Sequence, residues 1–148
     1  MIRIRPHHLL DIIRDFGNKM EVKEHRWGAS LPSVTQKILT DINQPVVFVM
    51  GVDAICETCS QLQNDICQAE INRDVLMRDY NDRIDRALFE ALQLAPGSQL
   101  RVREFLQLVS DNLNVLNIFD PALQTKPRKQ GTIAALKEFG IVSNCKLL

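Results

Sequence analysis

Three cysteines near the middle of the chain have the spacing of a metal-binding motif. Cys56 and Cys59 form a C-x-x-C pair, and Cys67 follows after seven further residues. Two intervening residues let both sulfurs turn towards one ion, and zinc sites and iron–sulfur clusters both use this arrangement. Asn64 and Asp65 favour a turn that would return Cys67 to the pair. The spacing therefore predicts Cys56, Cys59 and Cys67 as ligands of Zn²⁺ or of an iron–sulfur cluster.

Two other interpretations of these cysteines stay open. They could be buried thiols with a structural role, or Cys56 and Cys59 could form a thioredoxin-like redox pair. A redox pair of that kind stands at the start of a helix that follows a strand, whereas residues 60–64 are too short and polar a segment for such a helix. Metal ligation is the favoured interpretation.

Three thiolates leave a fourth ligand position, and the start of the chain offers polar groups for it. A helical wheel with about 100° per residue centres the apolar face between Ile12 and Phe16. His8 lies at the border of that face, and His7 and Asp11 lie together further round. We expect His8, His7 or Asp11 to complete the set, with Asp11 better suited to orienting a histidine than to direct ligation. Otherwise His8 is a hydrogen-bonded border residue, and His7 is exposed to solvent.

Other charged side chains are predicted to be solvated, because carboxylates near turns and mixed charges on a helix usually face water. They lie beside the cysteines, on the longest predicted helix and near the C-terminus: Asp53, Glu57 and Asp65; Asp79, Asp82 and Asp85 with Arg78, Arg83 and Arg86; and Lys126, Arg128 and Lys129. His25 has no evident partner.

The apolar spacing predicts the elements that must position these groups. Five helices are predicted: one at 6–17, a second that follows a Ser33 cap, a third at about 70–94, a fourth around 102–113, and a fifth from a Thr132 cap to a stop at Gly140–Ile141. Strands are predicted at 2–4 and 46–50, and a loop at 114–131. The fold class is therefore mainly α with a minor short-strand element, in a single compact helical domain. We expect the first helix to pack against the cysteine loop and the longest helix.

The composition is that of a soluble globular domain. The chain has 148 residues, of which 45% are hydrophobic, and its 18 basic and 18 acidic side chains cancel. Zero net charge argues against binding to nucleic acids or membrane surfaces and leaves little repulsion against a homo-oligomer. No apolar run reaches the roughly 20 residues of a membrane span, and we do not expect the opening MIRIRPHHLL to act as a secretory signal. We therefore expect a cytoplasmic protein, in which disulfides are rare.

Two segments of the chain resemble a known family. Residues 3–10, RIRPHHLL, resemble the R-x-R-P-H-H-L-L opening of DUF1284, a bacterial and archaeal family of unknown function. Residues 51–59, GVDAICETC, resemble its G-x-D-x-I-C-x-x-C segment, Cys67 fits its third cysteine, and residues 87–108 are similar to its closing helix–turn–helix. The resemblance covers about residues 1–110 and implies iron–sulfur binding, a role proposed for the family. Many members have a further cysteine where this chain has Asp11.

The resemblance suggests a metal-binding helical domain at 1–114, with residues 115–148 as a C-terminal extension packed on the same domain. Cys145 lies in that extension and has no counterpart in the family pattern. The resulting hypothesis is a small metal- or iron–sulfur-binding protein of unknown biological role and unknown partners. One alternative is an enzyme in which Zn²⁺ activates a water molecule, with His7 or Glu57 as general base. Another is a helical adaptor that binds a protein partner and has structural cysteines.

Overall fold

The computed structural model describes residues 1–72, 75–123 and 126–143, and Cys145 lies outside them. The described residues are mainly helical with short strands, which confirms the predicted fold class. The α-helices are α1 (Pro6–Gly17), α2 (Leu31–Thr40), α3 (Met77–Ala91), α4 (Val102–Asp111) and α5 (Arg128–Glu138). Short 3₁₀ helices occupy Cys56–Thr58, Leu113–Ile118 and Pro121–Leu123.

The strands build one three-stranded sheet and two small hairpins. They are β1 (Ile2–Ile4), β2 (Pro45–Phe48), β3 (Leu62–Gln63), β4 (Ile66–Cys67), β5 (Glu70–Asn72), β6 (Val75–Leu76) and β7 (Gln99–Arg101). The larger sheet has the order β1-β2-β7, with β1 parallel and β7 antiparallel to β2. Ile4 pairs with Phe48 at the end of β1, so the sheet delivers the chain into α1 at a fixed point.

Helix α1 begins and ends where the sequence predicts. Pro6 occupies its first turn, where a missing N–H costs no hydrogen bond. Its apolar side chains Leu9, Leu10 and Ile13 are fully buried. The helix crosses α5 closely because both have glycine at the crossing: a Cβ on Gly17 would overlap the carbonyl oxygen of Gly131. The C-terminal helix is thereby fixed against the helix that carries the predicted histidines.

The hydrophobic core is one continuous cluster, to which both the sheet and the helices contribute side chains. Phe48 of β2 and Phe105 of α4 are fully buried, with ring centroids 4.7 Å apart. Ile84 and Leu88 bring α3 into the same cluster. The sheet and α1 therefore share a single hydrophobic interior.

The predicted helix at 70–94 is wrong at its start. Residues 70–72 and 75–76 form the β5–β6 hairpin, and α3 begins at Met77. Ile71 and Val75 fit a helical period, but both are β-branched and fit an extended backbone equally well. The helix also ends early, at Ala91, where Gln93 has a left-handed φ of 56°.

Two predicted helix starts also need correction. Helix α2 begins at Leu31, after Ser30 and ahead of the predicted Ser33 cap, because a proline in the first helical turn is tolerated. Helix α5 begins at Arg128, so Thr132 is a fully buried residue within it and not its cap. The rest of the predicted loop at 114–131 contains the 3₁₀ helices.

The predicted end of α5 is confirmed. Gly140 has a φ of 68°, and its N–H donates to the carbonyl of Lys137 (3.0 Å). The N–H of Ile141 donates to the carbonyl of Leu136 (2.9 Å), which completes a Schellman motif. Ile141 is buried, as expected for a residue that folds back on the last turn. None of the described helices combines the length and apolar character needed to cross a membrane.

Candidate metal centre

The candidate site lies where the chain leaves β1 and enters α1. Arg5 is the residue before the helix, and His7 and His8 are in its first turn. The loop after β2 approaches this point, since the N–H of Ala54 donates to the carbonyl of Arg3 (2.9 Å). This pairing along β1 places the loop that carries Asp53 beside the two histidines.

Asp53 is the centre of the site. Its side chain is fully buried, and its Oδ2 accepts the backbone N–H of Arg5 (2.8 Å). Its Oδ1 accepts the backbone N–H groups of Ile55 (3.1 Å) and Cys56 (3.3 Å). Burial by itself would raise the pKa of Asp53, but His8, the backbone N–H of Arg5 and the Cys56 thiol outweigh it and hold the pKa well below its usual range. Asp53 is therefore a fixed, buried carboxylate and not a solvated turn residue as predicted.

His8 contacts Asp53 directly. Its Nδ1 lies 2.7 Å from Asp53 Oδ2, and 19% of its side chain is exposed. Burial alone would lower the pKa of His8, but the charge of Asp53 and the hydrogen bond to it raise the pKa above its ordinary value. His8 is thus a hydrogen-bonded border histidine that faces the loop of the predicted cysteine motif.

Cys56 is hydrogen-bonded to the other oxygen of the same carboxylate. Its Sγ–H donates to Asp53 Oδ1 at 3.3 Å. Burial raises the pKa of the Cys56 thiol to about 12, and the Asp53 carboxylate adds to that effect. One ligand atom from each of His8, Asp53 and Cys56 lies within 4.8 Å of the other two. The site therefore collects a nitrogen, an oxygen and a sulfur donor at one half-buried point.

A second buried carboxylate, Asp85 of α3, is hydrogen-bonded to Arg5 and His7 next to the site. It has no exposed side-chain surface. Its Oδ2 accepts a hydrogen bond from the Nε–H of Arg5 (2.5 Å) and lies 2.9 Å from Nδ1 of His7. Its Oδ1 accepts the backbone N–H of His7 (2.9 Å). Arg5 is further bonded to Asp82 Oδ1 (2.7 Å) and to the carbonyl of Gly51 (3.0 Å). The start of α1 is thereby tied to both α3 and the loop after β2.

His7 is more buried than His8, contrary to the expectation that it faces solvent. Only 7% of its side chain is exposed, and its ring centroid lies 4.2 Å from that of His8. Burial lowers the pKa of His7, and the neighbouring His8 lowers it further, against the opposing effect of Asp85. His7 therefore serves first as a partner of Asp85 inside the protein.

The other two predicted cysteine ligands lie further along the loop. Cys59 ends a tight turn that starts at Cys56, and it is partly buried against the core. Asn64 and Asp65 form the predicted turn, both with positive φ, and Cys67 pairs with Leu62 in the resulting hairpin. Among the described residues, neither Cys59 nor Cys67 belongs to the group formed by His8, Asp53 and Cys56. Their predicted ligation stays a prediction.

Asp11, the sixth predicted site residue, faces α5. Its Oδ1 accepts Nη2 of Arg128 (2.6 Å) and lies 3.3 Å from Nη1 of Arg14. Arg128 is buried, and its guanidinium stacks over Phe119 at 3.7 Å from the ring centroid. The predicted solvation of Arg128 is therefore wrong. Asp11 is engaged by two arginines on the side of α1 that faces the C-terminal helix.

Asp53 and Asp85 are the site residues that sequence reasoning missed, and for Asp85 a signal was available. Asp85, Leu88 and Leu92 follow helical spacing, so this carboxylate lies on the apolar face of α3 and not among its solvated charges. A charged residue in that position requires a buried partner. Arg5 and His7 supply it, from a segment 78 or more positions away along the chain.

The fold and the site together define a small, mainly α protein with a half-buried His/Asp/Cys cluster at the start of its first helix. A family model described as "Protein of unknown function (DUF1284)" matches residues 25–122. Since this match covers more than half of the chain, the protein belongs to the DUF1284 family, as its sequence motifs predicted. No curated protein and no solved structure matches it. The matched range contains Asp53 and all three central cysteines, whereas His7 and His8 precede it.

Proposed function

We propose that the protein binds a divalent metal ion, with Zn²⁺ as the best match, through His8, Asp53 and Cys56. The observation that carries this proposal is the convergence of three different donor atoms within 4.8 Å, with His8 on α1 meeting Asp53 and Cys56 of a loop 45 or more residues further along the chain. Zn²⁺ accepts nitrogen, sulfur and carboxylate oxygen ligands in a tetrahedral arrangement. A fourth position would remain for a water molecule or for a further donor.

The present hydrogen bonds match the contacts that an ion would need. An ion would replace the hydrogen atoms that now link His8 Nδ1 and Cys56 Sγ to the carboxylate of Asp53, at 2.7 Å and 3.3 Å. Nitrogen and oxygen ligands of a tetrahedral Zn²⁺ lie about 3.3 Å apart, so the 2.7 Å contact between His8 Nδ1 and Asp53 Oδ2 would have to lengthen by about 0.6 Å. Asp53 is fixed by three backbone N–H groups, which would orient it before the ion arrives.

A single ion fits this donor set better than an iron–sulfur cluster does. Clusters are held mainly by several cysteine thiolates, and Cys56 is the single sulfur in the group found among the described residues. Carboxylate oxygen is also a harder ligand than the clusters prefer.

We further expect a cytoplasmic protein, because a reducing compartment keeps Cys56 available as a thiol.

Metal content of two serine variants tests the ligand set. We expect Cys56→Ser to lose the bound metal of anaerobically purified protein, since the sulfur donor is removed. Cys67→Ser should keep it, because Cys67 lies in the hairpin outside the group. Elemental analysis with an absorption spectrum measures both, and Co²⁺ in place of Zn²⁺ should give a sulfur charge-transfer band that Cys56→Ser lacks. Equal loss in both variants would favour the three-cysteine set, and no metal in the parent protein would refute the proposal.

The histidines provide a second test with a matched pair. His8→Gln removes a ligand, and Asp53→Asn removes the carboxylate to which both His8 and Cys56 are bonded. Each substitution should weaken Zn²⁺ binding by at least about 10- to 100-fold, which is the range for loss of a group that supports a metal ligand. His7→Gln changes the adjacent residue, whose ring is bonded to Asp85 instead. It should lower stability while leaving the Zn²⁺ affinity within a few-fold of the parent value. Competition with a chromogenic chelator measures the affinities, and an unchanged affinity in His8→Gln would exclude His8.

A further inference from the structure

Cys56 and Cys59 stand at the two ends of one tight turn. The N–H of Cys59 donates to the carbonyl of Cys56 (2.9 Å), and residues Cys56–Thr58 form a single 3₁₀ turn. A hydrogen bond between residues i and i+3 keeps their Cα atoms within about 7 Å. Disulfides bridge Cα separations of about 4.4–6.8 Å. The turn therefore keeps the two Cα atoms within the limit of about 7 Å beyond which a disulfide could not form without backbone movement.

The turn is held on both sides by the loop that precedes α2. Before it, the carbonyl of Ile55 accepts the N–H of Ser30 (2.9 Å), and after it the N–H of Ser60 donates to the carbonyl of Trp27 (2.8 Å). Within it, Oγ1 of Thr58 lies 2.7 Å from Oγ of Ser30. These bonds fix the turn against a second segment, so closure of a disulfide would need little movement of the backbone.

Cys56 and Cys59 are both reduced thiols, and each residue is half-buried. The Sγ–H of Cys56 is donated to Asp53, whereas Cys59 lies at the edge of the core. Cys59 is therefore the sulfur that is free to react first with a small molecule.

We propose that Cys56 and Cys59 form a redox-sensitive pair, which small-molecule disulfides oxidise to an intramolecular disulfide that removes Cys56 from the metal site. Release of the metal rests on the proposed function, whereas formation of the disulfide does not. The pair would thus couple the redox state of the surrounding thiols to occupancy of the site formed by His8, Asp53 and Cys56.

The oxidation proceeds in two exchange steps. The thiolate of Cys59 attacks one sulfur of the small disulfide, so that a mixed disulfide forms and one small thiolate leaves. The sulfur of Cys56 then attacks the Cys59 sulfur, and the second small thiolate leaves as the protein disulfide forms. Two protein thiols lose two electrons, the small disulfide gains them, and the two thiol protons pass to the two released thiolates. Once bonded to Cys59, the Cys56 sulfur is no longer a thiolate ligand.

The test uses the full-length chain with Cys67 and Cys145 both changed to serine, so that the pair supplies its only thiols. After incubation with excess glutathione disulfide, we expect the intact mass to fall by two hydrogen atoms and to return with dithiothreitol. Peptide mapping should join Cys56 to Cys59. Trp27 is the only tryptophan of the chain, and its backbone carbonyl accepts the N–H of Ser60 beside the pair, so its fluorescence should fall on oxidation. A matched chain that also carries Cys59→Ser should gain one glutathione at most and show no internal bond.

The outcomes separate this inference from the proposed function. Stable glutathione adducts without an internal disulfide would overturn the redox pair, even if the reduced protein binds Zn²⁺. A Cys56–Cys59 disulfide in a protein whose reduced form binds no Zn²⁺ would refute the metal site alone. In the Zn²⁺-loaded protein, oxidation should release one Zn²⁺ for each disulfide formed, as measured with a chromogenic chelator. Retention of the metal after complete oxidation would refute the coupling between the two.

Discussion

Replacing Asp85 with alanine is expected to destabilise the protein by about 3–5 kcal/mol, because it removes the one fully buried carboxylate that pairs with the buried Arg5 guanidinium. Asp85 has no exposed side-chain surface and is bonded to both Arg5 and His7. Without it, the Arg5 guanidinium would stay buried with fewer acceptors, and the first turn of α1 would lose its contact with α3. Urea unfolding followed by circular dichroism measures the change. A domain of this kind has about 5–15 kcal/mol of stability in total, so partial unfolding at room temperature is a realistic outcome.

Asp82→Ala is the matched control for this prediction. Asp82 is bonded to the same arginine, at 2.7 Å, but 31% of its side chain is exposed. Water can therefore replace it, and the expected loss is about 1 kcal/mol or less. Equal destabilisation by the two substitutions would show that the burial of Asp85 does not determine the effect.

Gly17→Ala is expected to destabilise the crossing of α1 and α5 by about 3 kcal/mol or more, at the upper end of the range for overpacking. The added methyl group would overlap the carbonyl of Gly131, which belongs to a helix backbone and cannot move aside as a side chain would. Helix α5 would have to shift, and the ion pair between Asp11 and Arg128 would be strained with it. Hydrogen exchange should then report faster exchange in α5 than in α4.

Gln130→Ala provides the control for this crossing. Gln130 precedes Gly131 in α5, but its side chain is exposed. Alanine also has a higher helix propensity than glutamine. The substitution should therefore change the free energy of unfolding by less than about 0.5 kcal/mol, as expected for a surface position. A Gly17→Ala protein as stable as this control would mean that the two helices do not approach as closely as described.

Features whose causes lie within a few residues could be predicted from the sequence. Helix α1 is fixed by Pro6, a repeating apolar face and Gly17, and the end of α5 by Gly140 and Ile141. The Asn64–Asp65 turn follows from the tolerance of both residue types for positive φ. The mainly α class follows from the sum of such signals. The cysteine spacing likewise directed attention to the loop at 56–67, which contains one member of the candidate site.

Which polar groups share that site depends on contacts between residues far apart in the chain. His8, Asp53 and Cys56 converge because β1 lies parallel to β2, which returns the loop after β2 to the start of α1. Asp85 reaches Arg5 because the apolar face of α3 is buried against the same interior. Helical spacing places a carboxylate on a face, but it does not say which distant cation will neutralise it. The packing of the buried face determines which cation pairs with the carboxylate, since a charge removed from water is tolerated where an oppositely charged or hydrogen-bonding group is packed beside it.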